Sequence, residues 1–141
     1  MSRYLVVANQ TLGSRELMAE LEARRERGPS TFFVLVPVTH PTGAWAEGQV
    51  QSAATQRLEG AVRDLEAKGF DVEAGETGDV SPVRAIGDVL LRESFDEIIL
   101  STLPPGPSRW LHQDVPHRVS RQYKIPMTHV VAHSTAAVPT G

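Results

Sequence analysis

The sequence predicts a three-layer α/β domain in which helices cover both faces of a doubly wound, five-stranded parallel sheet. Two observations support this fold class. Apolar, β-branched runs alternate along the chain with segments of helical period, which is the order of βαβ units. The runs are almost continuously apolar, as expected for strands that are covered on both sides. Because crossovers between such units are right-handed, we expect the strand order 3-2-1-4-5.

Five segments are predicted to form the strands. The weakest strand signal is that of FDVEAG, which is third in chain order, because its apolar residues are interrupted by acidic ones and by a glycine. The predicted strands are RYLVVA (Arg3 to Ala8), TFFVLVPV (Thr31 to Val38), FDEIILST (Phe95 to Thr102) and MTHVVA (Met127 to Ala132), with FDVEAG (Phe70 to Gly75) between the second and third of these.

The intervening segments carry helical spacing and recognisable boundaries. Ser14 is a predicted N-cap, and Ser81 followed by Pro82 is another, because a proline suits the first helical turn. Gly69 ends the second helix, and Pro126 forces extended chain after the last one. The predicted inward positions are Leu17, Met18 and Leu21; Ala54, Leu58, Ala61, Val62 and Leu65; Val83, Ile86, Val89 and Leu90; and Val115, Val119 and Tyr123.

Length and composition predict one domain over residues 1–133 and a flexible C-terminal tail over 134–141. A chain of 141 residues with 40% hydrophobic content can bury one core and is too short for a second of similar size. The absence of cysteine excludes disulfides and thiolate metal sites. The apolar run Tyr4 to Ala8 is too short for a signal peptide or a membrane span, so we expect a cytoplasmic protein without a membrane partner.

The charge pattern argues against a nucleic-acid partner. The formal net charge is -3 and the arginines are scattered, whereas phosphate binding requires clustered basic residues on one face. The densest basic group, Arg24, Arg25 and Arg27, is interleaved with glutamates. We therefore interpret this segment as a solvated helix face with i,i+4 ion pairs.

The order of elements, the length and the C-terminal half resemble the universal stress proteins. FDEIILST is similar to the fourth strand of that family, and DVPHRVSRQYKIPMTHVVA (Asp114 to Ala132) is similar to its ending, with Arg118, Val119 and Pro126 at the family spacing. The resemblance implies an adenine nucleotide alpha hydrolase-like fold and a stress-associated, non-catalytic module that binds ATP, ADP, AMP or another small anion. It also implies a homodimer formed through the last strand, Met127 to Ala132.

In an open sheet of this order, ligands bind beyond the carboxyl ends of strands one and four, where the winding direction reverses. Residues with hydroxyl, amide, glycine or guanidinium groups follow those strands. The predicted ligand-binding residues are Asn9, Thr11, Val38, Ser101, Thr102, Gly106, Ser108, Arg109, Asp114 and Val115.

The chain departs from the phosphate-binding glycines of the family, which follow the pattern G-x-x-G and end in G-S or G-T. Ser101 and Pro104 stand at the first two glycine positions, and Gln113 and Asp114 at the final pair. Prolines in this loop remove backbone donors, and Asp114 is expected to satisfy the amides of the last helix and to repel a phosphate. Asn9 replaces the family's aspartate after strand one.

These departures leave two interpretations open. A nucleotide or anion could bind in a changed pose, with Arg109 as a bidentate partner. Alternatively, the hydroxyls stabilise the turn, Arg109 pairs with Asp114 or a neighbouring carboxylate, Trp110 packs in the core, and the protein is a homodimeric scaffold that has lost nucleotide binding. The loop His40 to Gln49, with Trp45, could cover the crevice or pack on protein.

Catalytic and metal motifs are missing from the sequence. His112 with His117, and His129 with His133, are close pairs, but neither pair has the three or four ligands of a zinc site, so we expect no metal. His129 is interpreted as a packed strand residue. No nucleophile elbow and no P-loop are present, which favours a non-catalytic protein; an enzyme that acts on nucleotides without a recognised motif is the third alternative.

Overall fold

The computed structural model describes residues 2–9, 11–37, 47–79, 81–106 and 108–133, with the backbone alone for 47–52 and 109. Val38, Trp45 and the predicted tail from Ser134 to Gly141 lie outside the described residues. The elements are β1 (Ser2–Val7), α1 (Arg15–Glu26), β2 (Ser30–Pro37), α2 (Glu47–Ala67), β3 (Val72–Gly78), α3 (Pro82–Leu90), β4 (Glu97–Thr102), α4 (Arg109–His112), α5 (Val115–Gln122) and β5 (Met127–Val131).

The sheet confirms the predicted topology. Five strands pair in the order β3-β2-β1-β4-β5, and every pairing is parallel. Val7 near the end of β1 lies beside Leu35 of β2 on one side and Leu100 of β4 on the other. The carboxyl ends of the two central strands, β1 and β4, are therefore neighbours.

The hydrophobic core has two layers, one on each face of the single sheet, because the crossovers run in opposite directions from β1. Leu17 and Leu21 of α1 and Leu58 and Leu65 of α2 pack on one face. Ile86 and other residues of α3 pack with α4 and α5 on the other face. Successive side chains of β1 point to opposite faces of the sheet and pack in opposite layers of the core, as expected for a strand that is covered on both sides.

The helix caps form as predicted. The hydroxyl of Ser14 accepts a hydrogen bond from the Leu17 amide at 3.2 Å, and the hydroxyl of Ser81 accepts one from the Arg84 amide at 3.4 Å. Each cap satisfies one of the amides that the first helical turn leaves unpaired. Tyr123 also lies inward, where its hydroxyl donates to the carbonyl of Val83 at 2.9 Å.

Two features differ from the prediction: the position of β3 and the presence of a short helix, α4. β3 runs later than FDVEAG, because Phe70 leaves the strand and packs edge-on against Phe32 of β2. The short helix α4 was not predicted. It follows a turn capped by Ser108 and is anchored by the buried Trp110, and neither contact is apparent from a four-residue sequence pattern.

The interpretation of the arginine-rich segment as wholly solvated was wrong for Arg24. This side chain is buried, and its guanidinium forms two 2.8 Å hydrogen bonds to the Glu97 carboxylate and a third to the hydroxyl of Thr128. Glu20, one helical turn earlier, completes the group. Burial of an arginine is tolerated here because a carboxylate compensates its charge.

No helix in the described part of the chain is long and apolar enough to cross a lipid bilayer.

Candidate functional site

Polar residues follow the two central strands and are buried there. Asn9 and Thr11 follow β1, and Ser101 and Thr102 end β4; their exposed fractions are 3%, 1%, 0% and 0%. The backbone turns sharply after β1, with the Leu12 amide donating to the Asn9 carbonyl at 3.2 Å. Four predicted site residues therefore lie at the adjacent ends of β1 and β4.

Two of these residues carry hydroxyls without hydrogen-bond partners. Within the described ranges, Thr11 Oγ1 and Ser101 Oγ are buried and unpaired, and so is Ser30 Oγ at the start of β2, at the opposite end of the sheet. An unsatisfied buried polar group is unfavourable by about 1–3 kcal/mol and calls for an explanation. Two of the three such groups thus lie at the carboxyl end of the sheet, where this topology binds ligands.

Asn9 is engaged by protein on both sides of its carboxamide. Its Nδ2 donates to the carbonyl of Pro37 at 2.7 Å, and its Oδ1 accepts a hydrogen bond from Nη1 of Arg57. Asn9 therefore joins the end of β1 to the end of β2 and to α2. These contacts hold the Asn9 side chain in place at the end of β1.

Arg57 was not among the predicted site residues. It lies on α2 three residues after Ala54 and four before Ala61, within the stripe predicted to face inward. Burial lowers the pKa of its guanidinium. The sequence signal that could have identified Arg57 is its place among the apolar residues that were predicted to face inward on this helix.

Thr102 is paired with a histidine of the neighbouring strand. Thr102 Oγ1 and His129 Nε2 are 2.8 Å apart, and burial lowers the pKa of His129 below its usual range. A neutral imidazole is thus favoured at this position. The interpretation of His129 as a packed strand residue agrees with this contact.

The loop after β4 is held by its own hydrogen bonds. Ser108 Oγ accepts from the Leu111 amide at 3.2 Å, and the Ser108 amide donates to the Pro104 carbonyl at 3.1 Å. Gly106 has a φ of 99°, which glycine tolerates, and its carbonyl lies 2.8 Å from Nε2 of His112. The hydroxyl of Ser108 therefore stabilises the turn. The side chain of Arg109 lies outside the described part of the structure.

The expected capping role of Asp114 is wrong. Asp114 has left-handed backbone geometry, with a φ of 57°, and its side chain makes no capping hydrogen bond. N-capping side chains normally project from extended backbone, and Pro116, the second helical residue, offers no N–H. The Asp114 carboxylate instead lies 3.5 Å from the exposed imidazole of His117.

Val115 and Trp110 are buried in the core beneath α3.

Among the residues with described placement, no group of three or more histidine, aspartate or glutamate side chains is arranged to hold a metal ion.

The fold is similar to that of several solved universal stress proteins. One from Archaeoglobus fulgidus in complex with dAMP shares 18% identity over 92% of this chain and 98% of its own, with a TM-score of 0.61. A family member from Arabidopsis thaliana with AMP bound shares 14% identity over 95% and 94%, with a TM-score of 0.60. A third, in complex with cAMP, shares 16% identity over 95% and 99%, with a TM-score of 0.59.

No protein-family model matches the sequence, and no curated protein matches it. The structural similarity therefore establishes the fold, which is the adenine nucleotide alpha hydrolase-like arrangement found in universal stress proteins.

Proposed function

We propose that this protein is a stress-associated, non-catalytic module that binds an adenine nucleotide at the carboxyl ends of β1 and β4. The observation that carries the proposal is the pair of buried, unpaired hydroxyls of Thr11 and Ser101 at these strand ends. Both oxygens are closed to solvent in this structure, so a ligand oxygen or ring nitrogen would satisfy them once neighbouring side chains move aside. Solved proteins of the same fold are described with AMP, dAMP and cAMP bound, and all three ligands are adenine nucleotides.

The binding mode must differ from one based on a glycine-rich phosphate loop. Prolines follow Leu103 where backbone amides would be needed, and the hydroxyl of Ser108 is already used within the turn. The carboxamide of Asn9 is occupied as well. Recognition of the nucleotide would therefore depend on the hydroxyls of Thr11 and Ser101. Because the prolines remove backbone amides that could bind phosphates, we expect ATP to bind more weakly than AMP.

Calorimetric titration with AMP, cAMP and ATP tests the proposal, using Thr11→Val and Ser101→Ala. Each substitution removes an unpaired hydroxyl and should weaken AMP binding about tenfold while the protein remains folded. Ser30→Ala is the matched control, because it removes the third unpaired hydroxyl at the other end of the sheet. The proposal fails if AMP does not bind at millimolar concentration, or if all three variants bind it like the unmodified protein.

A second candidate is a homodimeric scaffold, favoured by the position of β5. This strand is at the edge of the sheet, and Met127, Thr128, His129 and Val131 are only partly buried. Edge strands present unpaired backbone groups and are commonly covered by a second chain. Analytical ultracentrifugation at micromolar concentration would give a dimer that Val131→Lys converts to monomer; a monomeric unmodified protein would exclude this candidate.

A further inference from the structure

A cleft lies between α1 and α2, over Val6 of β1, away from the loop that follows β4. Its volume is about 300 Å³, at the lower end of the range for small-molecule sites. The lining residues that the structure describes are mainly aliphatic, including Leu17, Leu21 and Leu65, with no aromatic ring among them; the polar ones are Gln56, Arg57, Asp64 and Lys68. Such a surface suits an alkyl chain better than a stacked base.

Among the described residues, Arg57 lies at this cleft without an ion pair to any carboxylate. In the described part of the chain its guanidinium makes one hydrogen bond, to the neutral amide of Asn9, and no ion pair. Arg3, Arg24 and Arg92 each pair with a glutamate. A partly desolvated, uncompensated cation is unfavourable, and burial accordingly lowers the Arg57 pKa. An anion entering the cleft would remove this penalty.

Two glycines leave space in the same cleft. A Cβ atom added at Gly13 or Gly60 would meet no other atom within 4 Å. Gly60 lies inside α2, where glycine destabilises a helix by about 0.5–1 kcal/mol relative to alanine. Neither backbone geometry nor close packing requires glycine at position 60. The space beside Gly60 is open to a ligand.

We propose that the α1–α2 cleft binds a medium-chain aliphatic monocarboxylate, with the carboxylate on Arg57 and the chain along the partly exposed side chains of Leu12, Met18 and Ala61. The guanidinium retains free donors in the forked geometry that matches a carboxylate. The other charged residues of the lining, Asp64 and Lys68, carry opposite charges, so the net charge of the lining is one positive unit, as a monoanion requires. This cleft adjoins the proposed nucleotide site through the contact of Arg57 with Asn9, but its described lining contains neither Thr11 nor Ser101.

The test uses decanoate below its micelle concentration, with 1-decanol and decyltrimethylammonium as probes of the head group. Methyl chemical shifts report the site, and calorimetry reports affinity. We expect decanoate to shift the methyl signals of Leu12, Met18 and Ala61 and to bind at least about tenfold more tightly than either control, because only the carboxylate pairs with Arg57. Equal binding of all three probes, or shifts confined to other residues, would overturn the proposal.

Two variants test separately the charge of Arg57 and the open space beside Gly60. Arg57→Gln should weaken decanoate binding about tenfold, whereas Arg63→Gln, an exposed position on the same helix, should not. Gly60→Leu should fill the cleft and abolish decanoate binding while α2 stays folded and AMP binding is unchanged. If Gly60→Leu binds decanoate normally, the cleft is not the site, whatever the outcome for AMP.

Discussion

The carboxamide oxygen of Asn9 accepts a hydrogen bond from the guanidinium of Arg57, 48 residues further along the chain. The same carboxamide donates to the carbonyl of Pro37. Asn9 thus fixes the end of β1 to the end of β2 and to α2. The resemblance to universal stress proteins implies a ligand-binding role for this residue, which stays a prediction, and the structure shows protein contacts on both sides of its carboxamide.

Asn9→Ala should lower the free energy of unfolding by about 1–3 kcal/mol, because Arg57 and the Pro37 carbonyl would lose a buried partner. Urea denaturation monitored by circular dichroism provides the value. Gln122→Ala is the control, since that amide is exposed and makes only a 3.3 Å contact with the Tyr123 hydroxyl. An unchanged midpoint for Asn9→Ala would show that the three-way contact does not stabilise the fold.

Thr11→Val and Ser101→Ala should leave the stability of the unliganded protein unchanged or raise it by about 1 kcal/mol, because each removes an unsatisfied buried hydroxyl. Thr102→Val should lower it by about 1 kcal/mol, because this hydroxyl is paired with His129. Thermal unfolding without ligand compares the three variants. A clear loss of stability in Thr11→Val and Ser101→Ala would mean that their hydroxyls have partners after all.

Protonation of His129 should destabilise the protein on mild acidification. Burial lowers its pKa in the folded state, so the unfolded chain binds the proton more tightly. The stabilising contribution is complete above the unfolded value of about 6.5 and is lost as the pH falls from there through the lower folded value. His129→Gln should therefore flatten the decline in stability between about pH 7 and pH 5.

Chemical denaturation across that pH range measures the slope for the unmodified protein, for His129→Gln and for His117→Gln, whose imidazole is exposed. If His117→Gln flattens the curve as much as His129→Gln, or if neither does, the effect does not come from burial of His129.

Arg24→Ala should destabilise the protein by about 3–5 kcal/mol, because it leaves the Glu97 carboxylate without its buried partner. Arg15→Ala, an exposed position in the first turn of the same helix, should change stability by less than about 0.5 kcal/mol. Guanidinium denaturation distinguishes the two. Equal losses of stability in the two variants would show that Arg24 is solvated, as the sequence pattern predicted.

Much of this fold was predictable because it depends on local patterns. The continuous apolar run that contains Phe33 and Leu35 identified a strand buried on both faces, and the caps Ser14 and Ser81 identified helix starts. Arg24 was misjudged because its partners, Glu97 and Thr128, come from distant strands. Hydrogen bonds between residues far apart in the chain leave no periodic trace in the sequence.

The candidate site was predictable to a lesser degree. Topology located the ends of β1 and β4, and therefore Thr11 and Ser101, from sequence alone. It did not indicate that Asn9 is occupied, because this depends on Arg57 from another helix. Nor did it indicate that Asp114 adopts left-handed geometry, which removes the capping role that its position before a helix suggested.

Backbone amide chemical shifts recorded during a titration with AMP would locate the proposed nucleotide site. We expect saturable changes concentrated at the ends of β1 and β4, around Thr11 and Ser101, with little change at Ser30. Saturable changes confined to other regions, or no changes at millimolar AMP, would contradict it.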